Sequence, residues 1–441
     1  MFRLIVIGGG VAGAVAAAAH ARAGRAVTLV VGPRRQGLHE GLSPRVVEGL
    51  KFAGCMRALA EIGPWVERVS HWRGSETRLN GEFVTDRARL DAALVADAGD
   101  AGADIVSGRV TRVGFADSGW RVEGKGFALA GDFLVEARGR QAPARGQRRH
   151  GPRTTALARG WRFERDRPAI SAVAAFRDGW AWFAAPGDGR ATMQIVVAGE
   201  GLPPRAGIEH CYHQRLADVA EAGHWLNGAV ADGPVVARNA NAVLAPPPVA
   251  DAMIRIGDAA LAIDPLSGHG MFEAVSTALA SIAVVNTVIE RPEQRDLARQ
   301  FFEERVTQAF WRHARIGREF YAGEQRWPDS RFWKLRGVWP DLLPAHEPPT
   351  SRPPALVTRP VVENGYVVPR EVIVTADHPR GIWQIDGVDV VALMRLLKGG
   401  WRGERALIDT AVGATGATAA QVETALAWLR QRGLLLARDA G

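Results

Sequence analysis

Three stretches of the chain combine residue types that do chemistry together. The first is GGGVAG at positions 8–13, a GxGxxG turn formed by Gly8, Gly10 and Gly13, with Ala12 inside it. Glycine lets the backbone approach a pyrophosphate, whose charge meets the free N–H groups and positive dipole of a helix end. Alone the motif is weak. Its placement between the apolar run FRLIVIG and an alanine-rich helical stretch makes it a dinucleotide-binding turn. The second strand of such folds usually ends in an acidic residue for the ribose, but here the chain reads Val30, Val31, Gly32, Pro33, Arg34, Arg35. Either the ribose contacts are altered or carried by backbone groups, or an arginine meets a 2′-phosphate as in NADP sites.

The second stretch, RIGDAALAIDPLSGHGMFEA at 255–274, is more specific. A strand ends at Gly257 and Asp258, where a carboxylate can accept hydrogen bonds from ribityl hydroxyls. Pro265 leads into a glycine-rich helix start, Gly268, Gly270 and Met271, whose N-terminus would face the negative charge of a reduced flavin ring. This favours FAD over NADP as the tightly bound cofactor. The third stretch is GWAWFAAP, in which Trp180 and Trp182 sit two apart and share one face of a strand. They wall a substrate site or fill a sheet core. His71 and His269 are candidate catalytic proton carriers, since neutral imidazole near pH 7 suits that role; each also reads as an ordinary hydrogen-bonded histidine. Glu273 reads as a helix residue only.

The elements that would hold these groups follow from pattern. FRLIVIG is the kind of strand buried on both faces of a parallel sheet, the next helix stops at Gly24, and RAVTLVV completes a βαβ unit. DRARLDAALVADA at 86–98 is an amphipathic helix. From about 155 to 245 the character changes to alternating strands, with Asp188-Gly189 as a hairpin signal. A proline-rich linker over 341–360 precedes a last domain. There EVIVTADH and GIWQIDG suggest a hairpin, VDVVALMRLLK is helical, and the final helix opens with a Thr418–Gln421 capping box. Strands followed by three short helices form a winged-helix-like pattern.

The fold class is therefore α/β: a Rossmann-like FAD-binding domain, an inserted antiparallel-sheet substrate domain, and a small C-terminal winged-helix-like domain. The expected division is 1–70, 85–154 and 249–340 for the FAD-binding part, 71–84 and 155–248 for the substrate part, 341–360 for the linker, and 361–441 for the last domain.

Composition sets the limits. With 441 residues, 47% of them hydrophobic, several domains can each bury a core. The net charge of +8 is spread along the chain, lysine is rare (Lys51, Lys125, Lys334, Lys398), and the densest basic cluster is GRQAPARGQRRHGPR at 139–153. That pattern does not single out nucleic acid as a partner. Cys55 and Cys211 cannot build a disulfide framework or a cysteine-based metal site, and they fit a reducing, cytoplasmic compartment as core residues. The N-terminal run superficially resembles a signal peptide, but its three glycines would interrupt that helix. No later run reads as apolar enough to span a bilayer, so no membrane association is expected; nor is a bound metal expected.

Over about residues 1–340 the chain resembles the FAD-dependent monooxygenases of the para-hydroxybenzoate hydroxylase fold, and among them the branch with the flavin-dependent halogenases. The matching segments are GGGVAG, HEGLSPRV (39–46), TDRARLDAAL (85–94), DFLVEARGR (132–140), the Gly257-Asp258 segment and FYAGEQRWPDSRFW (320–333). The resemblance implies that Arg45 and Arg87 contact FAD and that backbone near Val110 lines the adenine site; a surface salt bridge is the plainer role for either arginine. It also implies O2 as co-substrate, electrons from NAD(P)H or an external flavin reductase, and attack of an electron-rich ring on a flavin C4a-hydroperoxide. Halogenation would need a lysine where this chain reads VERVSHWRGSE, and the family's WxWxIP signature is changed to Trp180-Ala-Trp182-Phe-Ala-Ala-Pro186. Both differences favour hydroxylation.

The last domain resembles the small winged-helix modules of peptide-modifying enzymes, which pair a leader peptide onto a sheet edge. Joined to the flavin fold, it resembles the flavoproteins that hydroxylate a peptide tryptophan during biogenesis of the tryptophylquinone cofactor of quinohemoprotein amine dehydrogenase. The expected partners are then a peptide or small protein and a flavin reductase. Two other readings stay open: a small-molecule hydroxylase or halogenase, and a flavin sensor that binds DNA through its tail. For the last, the final helix offers Arg430 and Arg432, both at its C-terminal end, which is poorly placed to read a groove.

Overall fold

The run Leu4–Ile7 can be buried on both sides only if something covers each face of its sheet, and the computed structural model supplies both covers. It describes residues 2–33, 38–116, 119–143, 146–250, 252–397 and 404–435. Arg34 and Arg35, the partners in the alternative 2′-phosphate reading, lie outside the described residues, as do Lys398 and, in the basic cluster, Arg145. By internal contacts the chain divides into two units, Met1–Ile289 with Phe302–Leu343, and Glu290–Phe301 with Pro344–Gly441.

In the first unit a six-stranded sheet runs Val249–Ala250, Met253–Arg255, Phe133–Glu136, Arg3–Ile7, Ala26–Val31, Asp104–Ser107. All neighbours are parallel except the first pair. The helix Val11–Arg22 packs on one face, and Ile5 and Ile7 meet Trp120 and Val122 of a small antiparallel sheet on the other. Strand order reverses between Arg3–Ile7 and Phe133–Glu136, which opens a crevice at their carboxyl ends, where ligands bind in sheets of this kind.

A second sheet of eight strands runs Ala229–Asn239, Thr154–Phe163, Arg190–Ala198, Gly179–Ala185, Ile170–Phe176, Trp65–Trp72, Ser75–Asp86, His39–Leu42. Phe183, Met193, Ile195 and Tyr212 fill the core on one face, and Trp72, Val173, Trp180 and Val196 sit on the other. The Asp188-Gly189 turn joins antiparallel strands as expected, with Gly189 at φ +74°. This sheet starts earlier in the chain than the expected 71–84 segment, with strands at His39–Leu42 and Trp65–Trp72. Its second hairpin turns on Arg73 and Gly74, both at positive φ, a pair without the Asn-Gly or Asp-Gly signature of such turns.

The helix Gly270–Glu290 corrects one expectation. Its 21 residues are long and apolar enough, by length and composition, to cross a membrane. It is instead a core helix that buries Val275, Ala278, Val284 and Val285. Cys55 is buried and free, its thiol pushed up to about 11 mainly by burial, and Cys211 is free and half-buried against the sheet core. Among the described residues no cluster of metal-ligating side chains occurs.

His20 joins the two long core helices, its Nε2 lying 3.1 Å from Ser281 Oγ. Burial, with a smaller contribution from Arg25, lowers its pKa from 6.5 to about 3. Between those values the unfolded chain takes up a proton that the folded chain refuses, so stability falls as pH drops through that window. At about pH 5 this amounts to about 2 kcal/mol. The urea midpoint should therefore drop between neutral pH and pH ~5, and less steeply in His20→Leu. Parallel slopes for the two proteins would clear His20 of any part in acid sensitivity.

The second unit contains a three-stranded antiparallel sheet, Ala355–Glu363, Tyr366–Thr375 and His378–Ile382, and helices Val390–Leu397, Glu404–Thr415 and Ala419–Gln431. Val390, Leu393, Leu407, Val422, Leu426 and Leu429 form its core, and the Thr418–Gln421 capping box is made. Its first strand begins inside the stretch expected as linker. Pro360 faces Pro369 across the ladder, so neither missing N–H removes a hydrogen bond from a donor that the sheet needs.

Candidate active site

The crevice opens into one cavity of about 1400 Å³, wholly within the first unit. The parallel sheet brings to its wall Gly8, Gly10 and Ala12 from the first turn and Gly32 and Pro33 after its second strand, and Val110 comes from the small antiparallel sheet. A Cβ on Gly8, at φ +116°, would come 2.4 Å from the Ala137 carbonyl oxygen, so only glycine allows this approach of turn and strand. Gly13 does not reach the wall; it packs beneath the turn. The helix Val11–Arg22 has no acidic residue in its first turn and no side chain capping its N-terminus, which leaves that end open to an anion.

Asp258 reaches the wall because Gly257, at φ +56°, bends the chain against Ala12; a Cβ there would lie 2.7 Å from the Ala12 methyl. Asp258 accepts from Arg140 Nε at 3.1 Å. Burial pushes its carboxyl up, and Arg140 and Arg87 pull against that. Arg87 lines the cavity but is committed to carboxylates, donating to Glu40 at 2.6 Å and Asp91 at 3.0 Å. Glu40, which the sequence pattern does not single out, also lines the cavity. An acidic group does border the cavity near the end of the second strand, but it comes from the strand His39–Leu42.

Pro265, Gly268, Gly270 and Met271 line the far part of the cavity, where the helix Gly270–Glu290 begins. There the wall passes into an aromatic half made by Trp72, Trp180, Trp182 and Phe320, with Val173 and Gln194. Trp180 donates to the buried Tyr321 hydroxyl at 3.1 Å, and Tyr321 donates to Asp264 Oδ1 at 3.0 Å. Trp182 donates to the buried Glu82 at 3.0 Å.

Besides the glycines Gly13 and Gly257, which lie behind the wall, three expected side chains do not reach the cavity. His71 alternates with Ser70 and Trp72, which do line it, and so projects from the opposite face. There its ring lies 5.9 Å from that of Trp225 and its Nδ1 is 3.7 Å from Glu221. Arg45 lies on the exposed side of the helix Pro44–Phe52, 5.8 Å over the Phe272 ring. His269 turns back to the Ser267 carbonyl, with burial lowering its pKa, while its neighbours Gly268 and Gly270 face the cavity. Its ring is 5.0 Å from that of His313, which pairs with Glu273 at 3.0 Å. Glu273 is thus more than a helix residue: it is buried and holds a histidine from the helix Arg295–Gly323. Sequence spacing carries no sign of that pairing, nor of Arg68, Glu82, Arg140 and Tyr321.

The residues fit FAD. A cavity of this size exceeds the roughly 300–1,000 Å³ of ordinary small-ligand sites and suits a dinucleotide with a further ring beside it. The glycine turn and open helix end suit its pyrophosphate, Asp258 its ribityl hydroxyls, and the helix start at Gly270 the ring. A dinucleotide crevice at the reversal of a parallel sheet, continued by an aromatic half under an antiparallel sheet, defines a flavin-dependent oxidoreductase of the para-hydroxybenzoate hydroxylase fold.

No model of a known protein family matches the chain, and no curated protein matches it in sequence. Solved structures do. QhpG, a peptidyl tryptophan dihydroxylase essential for tryptophylquinone cofactor biogenesis, aligns at 40% identity with a TM-score of 0.83, over 98% of this chain and 99% of its own. The flavin-dependent halogenase CmlS aligns at 19% identity and TM-score 0.75, over 99% of this chain and 96% of its own. The halogenase PltM, solved with phloroglucinol and FAD, aligns at 14% and 0.61, over 77% and 79%. The two halogenases share the fold. The chain belongs to the family of flavin-dependent monooxygenases that contains QhpG.

Proposed function

We propose that this protein hydroxylates a tryptophan side chain of a peptide or small protein, in the making of a quinone cofactor. The observation that carries the reading is the aromatic half of the cavity, walled by Trp72, Trp180 and Trp182 and continuous with the flavin half, in a chain 40% identical to a peptidyl tryptophan dihydroxylase. Bound FAD, reduced by a nicotinamide coenzyme or a partner flavin reductase, supplies one oxygen atom of O2 to the ring, and the other leaves as water. The chain's own residues orient the substrate. Trp180 and Trp182 are fixed at their N–H ends by Tyr321 and Glu82, so they present rigid faces against which an indole can stack. Their bulk also keeps water from the reacting position.

The C-terminal unit supports capture of a peptide outside the cavity, since Ala355–Glu363 is an edge strand that can accept a further strand from a leader segment. Two observations weigh against the rival readings. No lysine lines the cavity among the described residues, which disfavours halogenation. Arg432 is buried and donates to Asp377 at 2.5 Å, so it is not available to a DNA groove.

Mass spectrometry of tryptophan-containing peptides, incubated with the reduced enzyme and O2, tests the reading. Peptides should gain one or two oxygen atoms on tryptophan, and removing the leader should lower kcat/KM by about tenfold or more. Rapid oxygenation of free small aromatics with no gain on any peptide would defeat it.

A further inference from the structure

Arg68 stands on the strand Trp65–Trp72, among the alternate residues that face the cavity. Its two terminal nitrogens lie 4.0 Å from where a Cβ on Gly268 would be, so the guanidinium borders the turn that receives the flavin ring. It donates through Nη2 to Glu82 Oε2. Glu82 is 5% exposed, and its other oxygen accepts from the Ser171 hydroxyl and the Trp182 indole. One buried carboxylate therefore fixes both the cation and a wall of the aromatic half. A guanidinium carries five donors, and Arg68 Nε is buried without a protein partner.

We propose that Arg68, positioned by Glu82, is a cation that tunes the bound flavin toward its reduced, anionic form. Two electrons and one proton enter the ring and leave one negative charge there; Arg68 adds its charge to the helix end at Gly270, which faces the same part of the cavity. The electrons come from the nicotinamide or reduced flavin donor in catalysis, and from dithionite in the test. The assignment rests on the flavin reading of the cavity.

Potentiometric titration of the full-length, FAD-loaded protein decides it. In Arg68→Gln the unbalanced Glu82 charge faces the ring, so the preference for the reduced form should fall about tenfold, a midpoint about 30 mV lower for a two-electron couple. In Glu82→Gln the unbalanced Arg68 charge should move the midpoint the other way. Arg68→Lys, which keeps the charge, should stay near wild type. FAD content and thermal melting verify that each variant is loaded and folded; if Arg68→Gln does not fold, the sign of the Glu82→Gln shift decides alone. Unchanged midpoints, or shifts of the same sign in the two charge-removing variants, overturn the assignment while a yellow wild type leaves the flavin reading standing. A colourless wild type overturns both.

Discussion

Gly13→Val should yield a folded but colourless protein. An ideal Cβ at position 13 would stand 1.9 Å from the Gly8 carbonyl oxygen and 3.0 Å from the Ala137 methyl, both held by the parallel sheet. Neither can retreat. Gly8 donates its N–H to the Val30 carbonyl at 2.9 Å, and Ala137 donates to Ile7 at 2.9 Å. The helix Val11–Arg22 must therefore move away from the turn, and its free N–H groups leave the place where they meet a pyrophosphate. The remaining contacts cannot compensate, and FAD affinity should fall by about 100-fold or more, roughly 3 kcal/mol. Absorbance of the purified protein and calorimetric titration with FAD measure this. Gly99→Ala is the control, because on the helix Arg87–Asp100 a Cβ would make only an ordinary 3.7 Å contact with Ile105. A yellow Gly13→Val protein with wild-type affinity would remove the pyrophosphate from this turn.

The contrast between Gly13 and His71 shows what sequence could deliver here. The glycine turn is legible because everything it needs lies within a few residues: an apolar strand before, a helix after, and fixed spacing between. The Asp258 and Pro265 segment is legible for the same reason. His71 fails on parity. Its strand was foreseeable only in part, and whether Ser70 and Trp72 or His71 itself face the cavity depends on register across the sheet, which a one-residue shift reverses. Trp180 and Trp182 escape that uncertainty only as a pair, since equal parity places them together on either face. Groups brought together over long separations leave no local trace. Arg68 meets Glu82 across a hairpin whose Arg73-Gly74 turn lacks the usual residues, and Glu273 meets His313 from a different helix. The helix Gly270–Glu290 carries the opposite lesson: burial on most sides makes a core helix as apolar as a membrane span.

Asp264→Ala should produce the second large effect, and it tests whether the aromatic wall and the flavin turn act as one body. Asp264 Oδ1 accepts from Leu266 N at 2.9 Å, which shapes the Pro265 turn, and from the Tyr321 hydroxyl at 3.0 Å. Tyr321, 3% exposed, in turn accepts from Trp180. Burial pushes both the Asp264 carboxyl and the Tyr321 phenol up, so each group depends on its partner within the fold. Alanine leaves a turn N–H and the buried phenol's O–H donor without an acceptor, at about 1–3 kcal/mol each, so stability should fall by about 3 kcal/mol or more. Tyr321→Phe keeps the ring but strands the Trp180 N–H, and should cost about 1–3 kcal/mol. Because the two substitutions remove the same bond, the double variant should be more stable than additivity predicts by about 1 kcal/mol. Denaturant unfolding of the four proteins measures that coupling. FAD should remain bound through the Gly8 turn, while kcat for the peptide falls by roughly tenfold or more as the wall and the ring lose their fixed relation. Additive stabilities together with an unchanged kcat would mean that Trp180 is held by packing alone, and that the chain from indole to phenol to carboxyl has no part in placing the substrate.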